Sequence, residues 1–124
     1  MNQDSRRRVL IVDDYVSGAE ALAEACSEHY DVRFVGGGSA AMEVTLAWEP
    51  SVVVLDIDMP APNGLDVARM IRDMSHLDGM VLIAVTGRGA AFDRDEALAH
   101  GFDSYLTKPV DVNRLLALIA DALG

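Results

Sequence analysis

The chain has 124 residues, the size of one domain, and its 20 acidic and 10 basic residues give a formal charge of -10. This acidic balance argues against nucleic acid as a partner, because phosphate binding depends on clustered Lys and Arg side chains. The single cysteine, Cys26, excludes an intramolecular disulfide, and no apolar run reaches the roughly 18 residues of a membrane-spanning helix. We therefore expect one cytoplasmic domain over residues 1–124, with residues 1–7 as a flexible flank.

Short apolar runs alternate with segments of helical periodicity along the chain. The apolar runs predict five strands, at Val9–Val12, Asp31–Val35, Val52–Asp56, Met80–Val85 and Ser104–Thr107. The periodic segments predict five helices, at about Tyr15–Glu28, Ser39–Trp48, Leu65–Ser75 and Phe92–His100, and after Asp111. Ser39 and Asp111 are the expected N-caps, and Gly101 is expected to end the fourth helix. This alternation predicts a doubly wound α/β sheet.

Two of the predicted helices carry clear apolar stripes. In the first, the stripe is formed by Ala19, Leu22, Ala23 and Cys26, so we expect the thiol to be buried and inert. In the last, it is formed by Leu115, Leu118, Ile119 and Ala122. Both stripes are expected to pack against the sheet.

Two of the predicted strands run into carboxylates. The first strand is followed by Asp13 and Asp14, and the third ends at Asp56, with Asp58 two residues later. With right-handed crossovers, these strand ends meet at one edge of the sheet. Four ionised carboxylates cannot lie together without a cation, and oxygen ligands of this kind suit Mg²⁺ or Mn²⁺. The sequence therefore predicts a divalent metal site at this edge.

The same edge is expected to receive a hydroxyl and an ammonium group. Thr86 follows the fourth strand and Lys108 follows the fifth. Both groups are suited to neutralise and hydrogen-bond a transferred phosphoryl group, while Asp56 is suited to act as a nucleophile. The chemistry that this pattern predicts is phosphoryl transfer to Asp56.

Taken together, the motifs resemble the receiver domain of two-component response regulators over residues 8–123. The matching elements are Asp13-Asp14, Leu55-Asp56-x-x-Met59-Pro60 followed by Gly64, Thr86-Gly87, and Tyr105-x-x-Lys108-Pro109. The spacing between Asp56 and Thr86 is 30 residues, and that between Thr86 and Lys108 is 22. Several motifs in this order form a specific signal.

The resemblance implies a flavodoxin-like fold, with a five-stranded parallel sheet of order 2-1-3-4-5 and five helices. It implies that Asp56 accepts phosphate from a histidine kinase or a histidine phosphotransfer domain. Asp13, Asp14, Asp56 and the backbone carbonyl of Asp58 would bind Mg²⁺, and Lys108 would contact the phosphoryl oxygens. Such a chain is a signalling domain rather than an enzyme with a separate substrate.

The resemblance also implies a switch. Thr86 would move toward the phosphoryl group and Tyr105 would turn inward, while Pro109 would follow a cis peptide that aims Lys108. These movements would prepare the face made by helix four, strand five and helix five for a downstream protein, rather than for nucleic acid or a membrane.

Two positions near the acceptor are uncommon in this family. Asp58 lies two residues after the acceptor, and Arg88 lies two residues after Thr86. Our hypothesis is that these two side chains pair across the site and set the lifetime of the phosphorylated form.

One alternative is an aspartate-nucleophile phosphatase of the haloacid-dehalogenase type. The segment Asp56-Ile57-Asp58 after an apolar strand resembles the first motif of that family, in which the second aspartate is a general acid. However, Pro60 stands where that motif has Thr or Val, and the acid pair Asp13-Asp14 comes early rather than late.

A second alternative is dinucleotide binding. The segment Gly36-x-Gly38-x-x-Ala41 follows a strand and opens a helix, as in the dinucleotide fingerprint. This reading leaves the acid pair, Thr86 and Lys108 without a role, and a strand-to-helix turn explains the glycines better.

The wider context of the domain stays open at this level. Residues 84–89 and 101–111 resemble receivers that are fused to histidine kinases. A stand-alone regulator, a phosphate-shuttling intermediate and a receiver from a longer regulator are the alternatives.

Overall fold

The computed structural model describes residues 6–87 and 92–124. Within them, five strands alternate with five helices: β1 Arg8–Val12, α1 Val16–Cys26, β2 Asp31–Val35, α2 Gly38–Trp48, β3 Val52–Asp56, α3 Gly64–Arg72, β4 Val81–Thr86, α4 Arg94–Ala99, β5 Ser104–Thr107 and α5 Val112–Leu123. A short 3-10 turn, Ser75–Leu77, follows α3. The predicted order of elements is confirmed.

All neighbouring strands pair in parallel, in the order β2-β1-β3-β4-β5. This is the predicted doubly wound sheet. The chain reverses its direction of progress across the sheet after β2, so β1 and β3 flank the switch point where ligands bind in such folds. In the register of β3 and β4, Asp56 lies opposite Val85, which brings the last residues of both strands to one edge.

The apolar run in β3 is buried on both sides of the sheet. Val53 and Leu55 face a core formed with α2, α3 and α4, whereas Val52 and Val54 face a core formed with α1 and α5. A strand covered on both faces needs apolar side chains at every position, which explains the unbroken Val/Leu run. β3 is therefore the centre of the fold and carries Asp56 at its end.

The helix stripes were predicted with one error. Cys26 is fully buried, and burial raises the pKa of its thiol above the usual value. Leu115 and Ile119 of α5 are buried, and Leu118 packs against the same core. Ala122 is exposed, whereas the next residue, Leu123, packs against this core.

Two of the three predicted residues at helix ends are confirmed. Asp111 caps α5 as expected, accepting hydrogen bonds from the backbone N–H groups of Asn113 at 2.9 Å and Arg114 at 3.3 Å. Gly101 has a φ of 89°, the left-handed conformation expected after α4. The expected cap Ser39 is wrong: α2 begins at Gly38, and Gly37 at the N-cap position offers no side-chain hydrogen bond.

Three helices are shorter than predicted, and the first of them, α1, spans Val16–Cys26 instead of about Tyr15–Glu28. α3 ends at Arg72 instead of continuing to about Ser75, where the 3-10 turn begins. α4 begins at Arg94 rather than Phe92, because the Asp93 side chain caps it by accepting a hydrogen bond from the Glu96 N–H at 3.0 Å. At the start of α4, a capping residue rather than the apolar period thus sets the bound.

Arginines close the opposite edge of the sheet, where the strands begin. Arg6 Nη1 donates to the carbonyl of Ser27 at 2.9 Å, and Arg8 Nη1 donates to the carbonyl of Trp48. These two carbonyls lie at the C-terminal ends of α1 and α2. The guanidinium of Arg33 also lies over the Trp48 ring, 4.4 Å from its centroid. The basic residues thus satisfy helix ends at this edge.

Candidate functional site

Three carboxylates meet where β1 and β3 end. One oxygen of each of Asp13, Asp14 and Asp56 lies within 4.8 Å of the others. Asp56 is 2% exposed and Asp13 7% exposed, whereas Asp14 is open to solvent. An all-oxygen set with one open side suits a hard cation that retains part of its hydration, so these residues fit Mg²⁺. The predicted convergence of the acid pair with Asp56 is present.

The Asp56 carboxylate is buried but has partners on both oxygens. Oδ2 accepts a hydrogen bond from Lys108 Nζ at 2.8 Å, and Oδ1 accepts one from the Asp58 N–H at 2.9 Å. A buried carboxylate without such partners would be strongly destabilising. The residue predicted to be the nucleophile is therefore held in one orientation by a strand end and a loop.

Lys108 lies against two carboxylates. Besides Asp56, its Nζ is 3.6 Å from Oδ2 of Asp13. Burial alone lowers the pKa of Lys108, but the hydrogen bond and charge of Asp56, together with Asp13, outweigh burial and raise the pKa above its usual value. The ammonium is therefore charged at neutral pH, and the peptide bond between Lys108 and Pro109 is cis, as the resemblance implied.

Asp13 is less well compensated than Asp56. Its Oδ1 accepts a hydrogen bond from the Tyr15 N–H at 2.9 Å. Burial raises the pKa of Asp13, and the hydrogen bond and charge of Asp56 raise it further, against the opposing effects of Tyr15 and Lys108. The ionised form of this carboxyl is therefore disfavoured in the fold without a further cation. A divalent ion among these oxygens would reverse that balance.

Thr86 ends β4 beside this cluster and is fully buried. Its carbonyl accepts a hydrogen bond from the Lys108 N–H at 2.8 Å, which ties the end of β4 to the lysine. The sequence prediction that Thr86 and Lys108 reach the same edge as Asp56 is therefore met by the strand register and by these bonds.

The side chain of Asp58 points toward the exit of β4. Its Oδ2 accepts a hydrogen bond from the Gly87 N–H at 3.2 Å. The predicted partner, Arg88, lies outside the described residues. Sequence reasoning missed the Gly87 contact, because a backbone N–H carries no residue identity that a pattern could reveal.

Tyr105, the predicted switch residue, is half-buried on β5. Its ring lies edge-on to that of Phe92, with centroids 6.3 Å apart. Phe92 is buried and also contacts Phe102 edge-on, at 6.4 Å. Sequence analysis placed Phe92 in a helix and missed this neighbour, although an aromatic residue directly before a capping aspartate was an available signal.

Glycines let two helices approach the acceptor loop closely. A Cβ on Gly64 would lie 2.6 Å from the Asp56 carbonyl oxygen and 2.7 Å from the Ile57 Cα, so the start of α3 packs directly on the acceptor backbone. A Cβ on Gly38 would overlap the Pro62 carbonyl. Gly38, the second glycine of the dinucleotide-like segment, thus allows α2 to pack closely against Pro62.

A cleft of about 730 Å³ opens beside the carboxylates, between α1 and the start of α5. Its lining residues include Asp13 and Lys108 of the polar edge, together with Tyr15, Leu22 and Val110. Tyr15 is 68% exposed. The cleft gives an incoming group a route to the polar edge.

Among residues 6–87 and 92–124, no helix combines the length and apolarity needed to cross a membrane.

The chain is similar to known proteins along most of its length. The family model described as response regulator receiver domain matches residues 9–120. The DNA-binding response regulator MtrA of Mycolicibacterium smegmatis is 34% identical over 115 residues, which cover 92% of this chain and 49% of MtrA. The response regulator PleD of Caulobacter vibrioides is 32% identical over 116 residues, covering 90% of this chain and 25% of PleD. The chain thus spans half or less of these curated relatives.

A solved structure extends the likeness to three dimensions. The crystal structure of a CheY-like response regulator receiver domain protein from Methanospirillum hungatei superposes with a TM-score of 0.86 at 26% identity. The match covers 96% of this chain and 94% of that chain.

Proposed function

The chain belongs to the response regulator receiver domain family of two-component signalling, and from that premise we propose that Asp56 is its phosphoacceptor. One observation carries the assignment: the Asp56 carboxylate, 2% exposed, lies between Lys108 Nζ at 2.8 Å and the carboxylates of the acid pair within 4.8 Å. The proposed phosphodonor is a histidine kinase or a histidine phosphotransfer domain. The functional unit that we propose is a single domain over residues 1–124.

The proposed step is a displacement at phosphorus. A carboxylate oxygen of Asp56 attacks the phosphorus of a phosphohistidine, so that an O–P bond forms while the N–P bond breaks. The imidazole leaves with the electron pair of that bond, as a neutral ring when its other nitrogen carries a proton, and otherwise takes one proton from solvent. The Lys108 ammonium stabilises the negative charge on the transferred oxygens.

The proposed metal ligands are Asp13, Asp14, Asp56 and the backbone carbonyl of Asp58. Bound Mg²⁺, or Mn²⁺, would supply positive charge to the phosphoryl oxygens and to the crowded carboxylates. The raised pKa of Asp13 supports this assignment, because burial and the nearby Asp56 leave the carboxyl short of positive charge. Asp13 also orients the loop through its bond to the Tyr15 N–H.

Thr86 and Tyr105 are the proposed switch residues. The bond between the Lys108 N–H and the Thr86 carbonyl supports this role, because it couples a phosphoryl-binding lysine to the end of β4. Tyr105 adjoins the Phe92 ring just ahead of α4, so its rotation would be felt there. The proposed output is binding of a downstream protein to the face of α4, β5 and α5, where Leu98 is 51% exposed.

Asp58 and Arg88 are the proposed determinants of phosphoaspartate lifetime. The position of Asp58 supports this role, because its N–H bonds the acceptor carboxylate and its side chain lies at the exit of β4. In this proposal the domain releases its own phosphate but turns over no separate substrate.

The decisive experiment is phosphorylation by acetyl phosphate and Mg²⁺, followed by intact mass spectrometry. We expect the wild type to gain the mass of one phosphoryl group, and Asp56→Ala to gain none. Asp78→Ala is the control for loss of a carboxylate, because Asp78 is exposed just before the start of β4, and this variant should still be phosphorylated. An unchanged wild-type mass, or equal labelling of Asp56→Ala, would contradict the assignment.

A further inference from the structure

Residue 58 makes two polar contacts that point in different directions. Its N–H donates to Asp56 Oδ1 at 2.9 Å, and its Oδ2 accepts from the Gly87 N–H at 3.2 Å. One residue therefore connects the acceptor carboxylate at the end of β3 to the segment that leaves β4.

The connection to Gly87 lies beyond the sheet. Main-chain bonds hold the strand ends up to that point: the Ile57 N–H donates to the Val85 carbonyl at 3.0 Å, and the Lys108 N–H donates to the Thr86 carbonyl at 2.8 Å. Gly87 is the next residue, it is exposed, and its N–H is held by a side chain instead. A change at residue 58 can therefore release the exit of β4 without disturbing the sheet.

We propose that Asp58 is a positioning residue that tethers Gly87 in the unphosphorylated protein, and that phosphorylation of Asp56 weakens this tether. The proposal rests on the assignment of Asp56 as the phosphoacceptor. Phosphorylation replaces the single charge of the Asp56 carboxylate by up to two charges on the phosphoryl oxygens, and this added negative charge repels the nearby Asp58 carboxylate. The transferred oxygens are also acceptors that compete for the same N–H donors.

Thermodynamic linkage makes the proposal reciprocal. If a phosphoryl group weakens the tether by some factor, then removal of the tether must favour the phosphoryl-bound state by the same factor. A net hydrogen bond at a solvent-exposed position corresponds to roughly a three- to tenfold change in an equilibrium constant. Asp58 thus sets how easily the exit of β4 responds to the acceptor.

The test uses Asp58→Ala and Asp58→Asn, which separate the tether from the charge. The alanine variant removes both, whereas asparagine removes the charge and keeps an acceptor oxygen. Asp78→Ala is the matched control, since it deletes an exposed carboxylate just before the start of β4. The measurements are the amide resonance of Gly87 by NMR and the affinity for beryllofluoride, a phosphoryl analogue, at saturating Mg²⁺.

We expect the Gly87 amide proton to move upfield in Asp58→Ala and less in Asp58→Asn. Beryllofluoride should bind about three to ten times more tightly to Asp58→Ala than to the wild type, with Asp58→Asn between them. Asp78→Ala should match the wild type. An unmoved Gly87 resonance, or equal affinities for the two Asp58 variants, would overturn the tether.

Failure of the proposed function has a different signature. The Gly87 resonance reports the tether in protein that has never met a phosphodonor, so it is read independently of Asp56 chemistry. If the tether is present but the wild type gains no phosphoryl mass, the phosphoacceptor assignment and its coupling to the tether are both overturned.

Discussion

The two edges of the sheet use charge in opposite ways. At the edge where the strands end, Lys108 faces both Asp56 and Asp13, and the pKa of Asp13 is raised because burial and Asp56 disfavour its ionised form. At the edge where the strands begin, Arg6 and Arg8 donate to carbonyls at the ends of α1 and α2. At the first edge the negative charge of the carboxylates is only partly neutralised, whereas at the second edge the guanidinium groups bind the carbonyls at helix ends.

This difference indicates that the carboxylate edge serves the proposed phosphorylation, whereas the arginine edge serves the stability of the fold. In our proposal the carboxylate edge needs an excess of negative charge to bind a cation, and the bound cation would then offset the charge of the anionic phosphoryl group. The arginine edge binds neither group in this proposal, so its guanidinium groups can be paired with carbonyls of the protein itself. Substitutions at the carboxylate edge should therefore alter the rate of phosphorylation, whether or not they also change the free energy of unfolding. Substitutions at the arginine edge should change the free energy of unfolding alone.

The largest effect is expected from Lys108→Met. The substitution removes the ammonium 2.8 Å from Asp56 Oδ2, so the rate of phosphorylation by acetyl phosphate should fall about 100-fold, the usual cost of losing one electrostatic contact in a transition state. Quenched-flow or manual time courses read by intact mass measure the rate. Lys108→Arg, which keeps the charge, should lose less; equal losses in the two variants would mean that charge is not what this residue contributes.

Gly64→Ala should damage stability and phosphorylation together. The added Cβ would meet the Asp56 carbonyl and the Ile57 Cα, which are backbone atoms that cannot turn aside. We expect a loss of about 1–3 kcal/mol in the free energy of unfolding, measured in urea, and slower phosphorylation. Gly79→Ala is the control, because nothing lies within 4 Å of its added Cβ. A variant with wild-type stability would refute the close approach of α3 to the acceptor.

Arg8→Ala tests the other edge. It removes the bond to the Trp48 carbonyl and a guanidinium 5.6 Å from the Trp48 ring centroid, so the free energy of unfolding should fall by about 1–2 kcal/mol. Its phosphorylation rate should equal that of the wild type. Arg114→Ala, at an exposed position of α5, is the matched control and should change stability by less than about 0.5 kcal/mol. A slowed phosphorylation rate in Arg8→Ala would break the separation of the two edges.

Asp13→Asn should stabilise the metal-free protein at neutral pH, on the order of 1 kcal/mol, a common size for one substitution. Because the pKa of this acid is raised in the fold, the unfolded chain loses the proton more easily, and ionisation favours unfolding. The advantage of asparagine should therefore be present at pH 7 and vanish as the pH falls below 3.8, the ordinary pKa of an aspartic acid.

Thermal unfolding of Asp13→Asn, with EDTA and then with Mg²⁺, measures this effect. Asp14→Asn is the control, because its exposed carboxylate is already hydrated and its removal should change metal-free stability less. With Mg²⁺ the wild type should become more stable to heat than Asp13→Asn, since this variant has lost a proposed metal ligand. A less stable metal-free Asp13→Asn at pH 7 would show that the carboxylate edge is not short of positive charge.

The sequence was sufficient for the elements that periodicity and strand ends determine. The unbroken run before Asp56 predicted a strand buried on both faces, and parallel topology then required the acid pair, Thr86 and Lys108 to meet it. These inferences succeeded because side-chain identity determines burial: an unbroken Val/Leu run is stable only where both faces of the strand are covered.

Contacts made by the backbone could not be read in the same way. The cap of α2, the bond between Asp58 and the Gly87 N–H, and the approach of Gly64 to Asp56 depend on where main-chain atoms lie after folding. Residue patterns specify such atoms only indirectly. The start of α4 was misplaced for a related reason, since Phe92 fits an apolar helical period but packs with Tyr105 and Phe102 instead.

The position of Trp48 gives the protein a built-in optical reporter. It is the single tryptophan of the chain, 7% exposed, at the arginine edge and with Arg33 over its ring. Its emission, excited where tyrosine does not absorb, should therefore follow unfolding while remaining silent to events among the carboxylates. Unfolding can therefore be followed on an unlabelled sample, with light that the tyrosines of the chain do not absorb.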